Sequence, residues 1–261
     1  MLGSIAKFAT IALVAAGLAG SATAGSISIS TGVNSGWKFT GFRAGDNAAN
    51  NGAFAFSGSA LTLQNQTNAQ VGQNAFAIAA HPAWNNTVPG GPTFSPEQGL
   101  SWISALANGN QKGLYGFYSY ELTLDSSVLT AGKKYAVSGL VSSDNLISSF
   151  SINGGPNLLS DYLKDTEFSY RDVSNLPGGV GGVPLTIRIE VFNMSSLDSM
   201  GDFGMTPTAG TNPNTTDNPT GFILQGSLVQ VVPLPTAGWA GLALMATCGV
   251  MQYRRKLAMR A

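Results

Sequence analysis

Between residues 25 and 231, apolar and polar positions alternate in short runs separated by clusters of Gly, Asn, Ser and Pro. No long stretch repeats its apolar residues with the 3.6-residue period of a helix, so the pattern predicts an all-β chain. Residues 183–192 show it most cleanly: Leu185, Ile187, Ile189 and Val191 share one face of a strand. Thr186, Arg188 and Glu190 share the other face, where the arginine and glutamate can pair across solvent. Residues 116–124 repeat the period, with Tyr118, Tyr120, Leu122 and Leu124 opposite Ser119, Glu121, Thr123 and Asp125.

Two further strands are predicted at 135–141 and 146–152, joined by the polar turn Ser142, Ser143, Asp144 and Asn145. Asn153-Gly154 then marks a tight turn, because both residues tolerate positive φ. Shorter strands are predicted at 27–30, 54–57, 60–63, 75–79 and 222–231. Residues 44–52, 81–98, 178–182 and 206–220 read as loops of one domain. At least eight short strands in one domain predict a two-sheet antiparallel β-sandwich, a jelly roll in its arrangement.

The two ends break the pattern. Lys7, the apolar run 8–19 and then Ala22-Thr23-Ala24 have the order of a cleavable signal peptide, with cleavage by signal peptidase expected after Ala24. At the other end Val232-Pro233-Leu234-Pro235 precedes an apolar segment at about 236–253, and Arg254, Arg255, Lys256 and Arg260 follow it. That segment is just long enough to cross a bilayer as a helix, with the basic cluster held on the cytoplasmic side. The domains expected are therefore a signal peptide at 1–24, a β-sandwich ectodomain at 25–231 and a C-terminal segment at 232–261.

This C-terminal order of prolines, small-residue helix and arginines resembles the PEP-CTERM class of bacterial sorting signals, in its VPLPA-type variant. Thr236 stands where the variant has Ala, and Leu257, Ala258 and Met259 dilute the basic cluster. The resemblance covers roughly the last 30 residues. It implies that an exosortase-type membrane peptidase recognises the proline motif and releases or transfers the protein to the cell surface or extracellular matrix. A plain single-pass membrane anchor is the alternative.

Five of the 13 basic residues lie in the two end segments and all 13 acidic residues lie between them. Eight basic against 13 acidic residues leaves the ectodomain at −5, which argues against a nucleic-acid partner. Cys248 falls in the tail, so the ectodomain must hold together by its packed core, without disulfides, Cys-ligated zinc or thiol catalysis.

Ser101-Trp102-Ile103-Ser104, the run 116–121 with Leu122 and Leu124, Asp144-Asn145, Ile152-Asn153-Gly154, Phe192-Asn193 and Thr220-Gly221-Phe222 resemble the jelly-roll ectodomain found in front of this sorting signal. The similarity spans about 31–229 and implies a fold like that of carbohydrate-binding modules or galactose-binding-like sandwiches. A sugar site needs aromatic faces for CH groups and planar polar groups for hydroxyls. The candidates are Trp84, Trp37, Asn85 and Asp144, with Trp102, Tyr115, Phe117, Asn86 and Gln98 behind them. Trp102, Tyr118 and Tyr120 fall at core positions, whereas the proline-rich surroundings of Trp84 point to a surface loop.

Metal and enzyme chemistry find less support. Gly45-Asp46-Asn47 with Asn50 and Asn51 supplies one carboxylate, short of the six to eight oxygens calcium takes, and reads as an Asx-turn loop. No cofactor is expected. His81 is the single histidine and there is no Gly-x-Ser-x-Gly elbow, which argues against a serine hydrolase. Glu97, Glu121, Glu167 and Glu190 with nine aspartates could supply a glycosidase pair, but Glu121 and Glu190 occupy outward strand positions. The reading is an exported, non-catalytic envelope or matrix protein with polysaccharide as its candidate ligand. A structural surface protein without ligand and a glycan-active hydrolase are the alternatives.

Overall fold

The computed structural model describes residues 25–47, 52–53, 55–79, 99–109, 112–144, 146–159, 170–193, 219–232, 245 and 247–248. Residues 26–230 form one compact unit, and the two end segments fall outside it.

The chain runs β1 (Ser26–Ser28), β2 (Lys38–Ala44), β3 (Asp46–Asn47), β4 (Gly52–Ala53), α1 (Gly58–Ala69), β5 (Phe76–Ile78), β6 (Trp102–Ser104) and β7 (Gly116–Leu124). A short 3-10 turn at Ser126–Val128 leads into β8 (Lys134–Asp144), β9 (Leu146–Ile152), β10 (Tyr170–Asp172), β11 (Leu176–Val180), β12 (Leu185–Asn193) and β13 (Gly221–Gln230). All pairings are antiparallel. One sheet of seven strands runs β10-β8-β13-β6-β5, with β11 also on β8 and β1 also on β13. The other sheet runs β2-β7-β12-β9.

The clearest alternations pair directly. Leu185↔Leu124, Ile187↔Leu122, Ile189↔Tyr120 and Val191↔Tyr118 bring two apolar stripes side by side, and all of these residues but Leu124 are buried. β8 and β13 make the longest ladder of the other sheet, from Gly221↔Asp144 to Gln230↔Tyr135. Between the sheets the rings meet: Tyr120 lies 4.9 Å from Phe222, and Trp37 stands edge-on to Phe222 at 5.4 Å. The molecule is thus a two-sheet antiparallel sandwich whose core is aromatic.

Several local expectations are corrected, among them residues 55–57, which the pattern predicts as strand and which lie in none. Residues 60–63 belong to α1, not to a strand: Ala60, Leu63 and Thr67 are its buried positions, a spacing that a four-residue window cannot distinguish from alternation. Ser142, Ser143 and Asp144 are the end of β8, paired with Ile223, Phe222 and Gly221, and make no hairpin turn. β8 and β9 lie in different sheets, so the chain changes sheet between Asp144 and Leu146. Residues 178–180 of the glycine-rich stretch continue β11, with a register shift between Pro177 and Val180. The Asn153-Gly154 turn is present, with φ of 51° and 67°.

Among the described residues no helix is long and apolar enough to cross a membrane. Nearly all of the signal-peptide and C-terminal segments, including Ala24, Pro233, Leu234, Pro235, Arg254 and Arg255, lies outside the described residues. Val232 is described and exposed.

Candidate functional site

Two residues expected to meet a ligand are buried. Trp37 is 1% exposed, and its Nε1 donates to the carbonyl of Ile29 at 3.1 Å, so the indole has no free face. Asp144 is 2% exposed at the end of β8. Trp102, Tyr115 and Phe117 are likewise buried. Trp84, Asn85, Asn86, Gln98, His81 and Glu97 lie outside the described residues.

The buried tyrosines of β7 serve as struts. Tyr118 Oη accepts from Leu114 N at 2.6 Å and donates to Leu114 O at 3.1 Å, closing the loop before its own strand. Tyr120 Oη accepts from Ala105 N at 3.1 Å. Burial pushes both phenols well above the ordinary tyrosine value of 10.0, outweighing the hydrogen bonds that favour the charged form.

On the outer face of the four-stranded sheet four polar side chains form one network. Arg188 Nη2 donates to Ser119 Oγ at 2.9 Å, and Ser119 Oγ donates to Glu190 Oε2 at 3.3 Å. Ser148 Oγ reaches Glu190 Oε1 at 2.9 Å. Arginine and glutamate therefore communicate through a serine hydroxyl. Beside them Arg43 lies over the Phe117 ring, its Cζ 3.8 Å from the centroid.

The outer face of the seven-stranded sheet is different. Residues 26–30 read Ser-Ile-Ser-Ile-Ser, so Ile27 and Ile29 turn to the core while the serines turn outward. The registers extend this across three strands: Ser28↔Ser227↔Ser138 face out, and Ile27↔Leu228↔Val137 face in. Most of the outward residues there are serines and glycines, and the face sinks into an open trough of about 440 Å³. Ser26, Ser28, Ser30, Ser138, Ser227 and Gln225 line it, over Gly139 and Gly226, with Leu140 at one end.

The trough is built from backbone as much as from side chains. Ser30 Oγ donates to Gly226 O at 3.1 Å and accepts from Gly226 N at 3.0 Å, which ties β1's end to β13. A Cβ on Gly139 would strike the Gln225 carbonyl and Gly226 Cα, so this part of the trough floor admits no side chain. Leu140 packs on a second apolar cluster of Ile78, Leu100, Trp102 and Ile223, giving the trough one apolar end. Among the described residues the hydroxyls of Ser26, Ser138 and Ser227 make no hydrogen bond to protein, leaving them available to a ligand. No lining residue is charged.

Sequence reasoning missed this site. Its signal was the Ser-Ile-Ser-Ile-Ser alternation, but the partner serines lie about 110 and 200 residues away and meet only through the registers. Among the described residues no group of three His, Cys, Asp or Glu side chains could hold a metal ion. Comparison with protein-family models, with curated proteins and with solved structures finds no match.

Proposed function

We propose that this chain is an exported, non-catalytic protein of the cell envelope or extracellular matrix that holds polysaccharide on its seven-stranded sheet. The observation that carries the reading is the uncharged, hydroxyl-lined trough. Sugar hydroxyls pair with serine hydroxyls, while Leu140 offers an apolar surface to sugar CH groups. A trough open at the surface suits a chain lying along it better than a small molecule enclosed on all sides. From the proline-rich stretch 81–98 this reading adds Trp84 as a stacking face and Asn85 as an amide partner for sugar hydroxyls.

In this reading the sandwich is a jelly roll. Signal peptidase removes the leader after Ala24, and an exosortase-type peptidase acts at Val232-Pro233-Leu234-Pro235 while Arg254 and Arg255 keep the tail's end in the cytoplasm. The protein is anchored briefly in the inner membrane and then reaches the surface or matrix.

A glycan array tests the binding claim, comparing the wild type with the double variant Ser138→Val, Ser227→Val. The substitutions keep β propensity and remove two hydroxyls. Array signal in the wild type, lost in a variant of unchanged melting temperature, supports the trough. No signal from the wild type, or equal signals from both, contradicts it.

A further inference from the structure

We infer that the trough takes a neutral, extended β-1,4-linked glycan lying across the strands, one sugar to each of β1, β13 and β8. This rests on reading the trough as the polysaccharide site, and adds the linkage, the direction and the length of chain it holds.

The registers set the direction. Ser28 pairs with Ser227 and Ser227 with Ser138, so three hydroxyl-bearing residues stand in a row perpendicular to the strands. Neighbouring strands lie about 4.8 Å apart, close to the advance per sugar of a straight β-1,4-linked chain, so successive sugars meet successive serines. Along a strand the outward residues are about 6.7 Å apart, and a chain laid that way falls out of step with them. Nor do the serines continue in that direction on β13 and β8, where the outward neighbours are Gln225 and Val229, and Leu140 and Ala136.

Each hydroxyl of the row has a proton to give. Among the described residues Ser227 and Ser138 make no hydrogen bond to protein, and Ser28 Oγ only accepts, from Ser30 N–H at 3.4 Å. The row is three serines long: β1 pairs with β13 alone, while β10 ends at Asp172 opposite Leu140 and β11 begins at Leu176 opposite Val137, so neither carries it past Ser138. No lining residue is charged, so a carboxylate-bearing sugar would lose its water without gaining a partner. A β-1,4-linked chain is already straight, whereas an α-1,4-linked chain coils and would have to be drawn out to follow the row.

The test is calorimetric titration of the full chain, in a sugar-free detergent, with cellobiose, cellotriose, cellohexaose and maltohexaose. In the wild type, affinity should rise about tenfold from disaccharide to trisaccharide, the effect of one added hydroxyl contact, and less than about fivefold from there to cellohexaose. Maltohexaose should bind at least about tenfold more weakly than cellohexaose. In Ser28→Val the step from disaccharide to trisaccharide should vanish, while the disaccharide, seated on Ser227 and Ser138, binds within about twofold of wild type. Ser28→Thr, which keeps the hydroxyl, should keep the step. Equal or tighter binding of maltohexaose, or a step that survives in a folded Ser28→Val variant, overturns the inference and leaves the polysaccharide reading standing. Binding of none of the four by a chain that gives array signal does the same, and no binding together with a blank array overturns both.

Discussion

Asn157 stands in for a neighbouring strand along the free edge of β9: its Oδ1 accepts the Phe150 N–H at 3.0 Å and its Nδ2 donates to the Ser148 carbonyl at 3.1 Å. Leu158 N–H completes the mimicry by donating to the Phe150 carbonyl at 2.8 Å. β9 is the last strand of the four-stranded sheet, so these are groups that another chain would otherwise pair with.

Asn157→Ala should therefore do two things at once. Loss of the amide leaves Phe150 N–H and Ser148 C=O without their partner, which costs about 1–3 kcal/mol. The opened edge also invites strand addition. Denaturant titration measures the first effect, and sedimentation velocity measures the second as a shift from monomer toward dimer. A variant as stable and as monomeric as the wild type would contradict the edge-closing role.

Tyr118 and Tyr120 set the alkaline limit. In the unfolded chain their phenols lose protons near 10.0, whereas in the fold burial holds them neutral well above that. Their contribution to stability is complete below pH 10 and is lost as the pH climbs past it. Tyrosinate absorbance followed against pH should show the Tyr118 and Tyr120 phenols ionising only as the fold is lost. Free titration of these two near pH 10 in a folded protein would be the opposing result.

Trp37 is a core residue, and its substitution should report on packing. Trp37→Ala is expected to cost about 3–5 kcal/mol. Trp37→Phe should cost less, since the ring contact with Phe222 survives while the hydrogen bond to Ile29 O is lost. Thermal unfolding measures both. A folded Trp37→Phe variant should bind glycan as the wild type does, and weakened binding would return the residue to the site.

What could be read from the chain follows from range. Residues 116–124 and 185–193 declared themselves because each strand has one buried face and one wet one, and they proved to be ladder partners. Trp37 did not, because its neighbours Gly36 and Lys38 are those of a surface turn and only the return of β13 puts Phe222 against it. Ser142 to Asp144 looked like a turn by composition; pairing with β13 keeps them extended, as tertiary contacts commonly override polarity. The trough was least legible of all. A serine outside a strand is unremarkable alone, and three become a surface only when the registers align Ser28, Ser227 and Ser138.

On the proposed reading, the serine face of the seven-stranded sheet holds a glycan chain. Amide hydrogen exchange of the protein, with and without the polysaccharide that binds best on the array, is its sharpest test. The binding surface should show as slowed exchange at residues 26–30, 138–140 and 225–227, with β2 and β12 unchanged. Slowing confined to β2, β7 and β12, or none at saturating glycan, would contradict it.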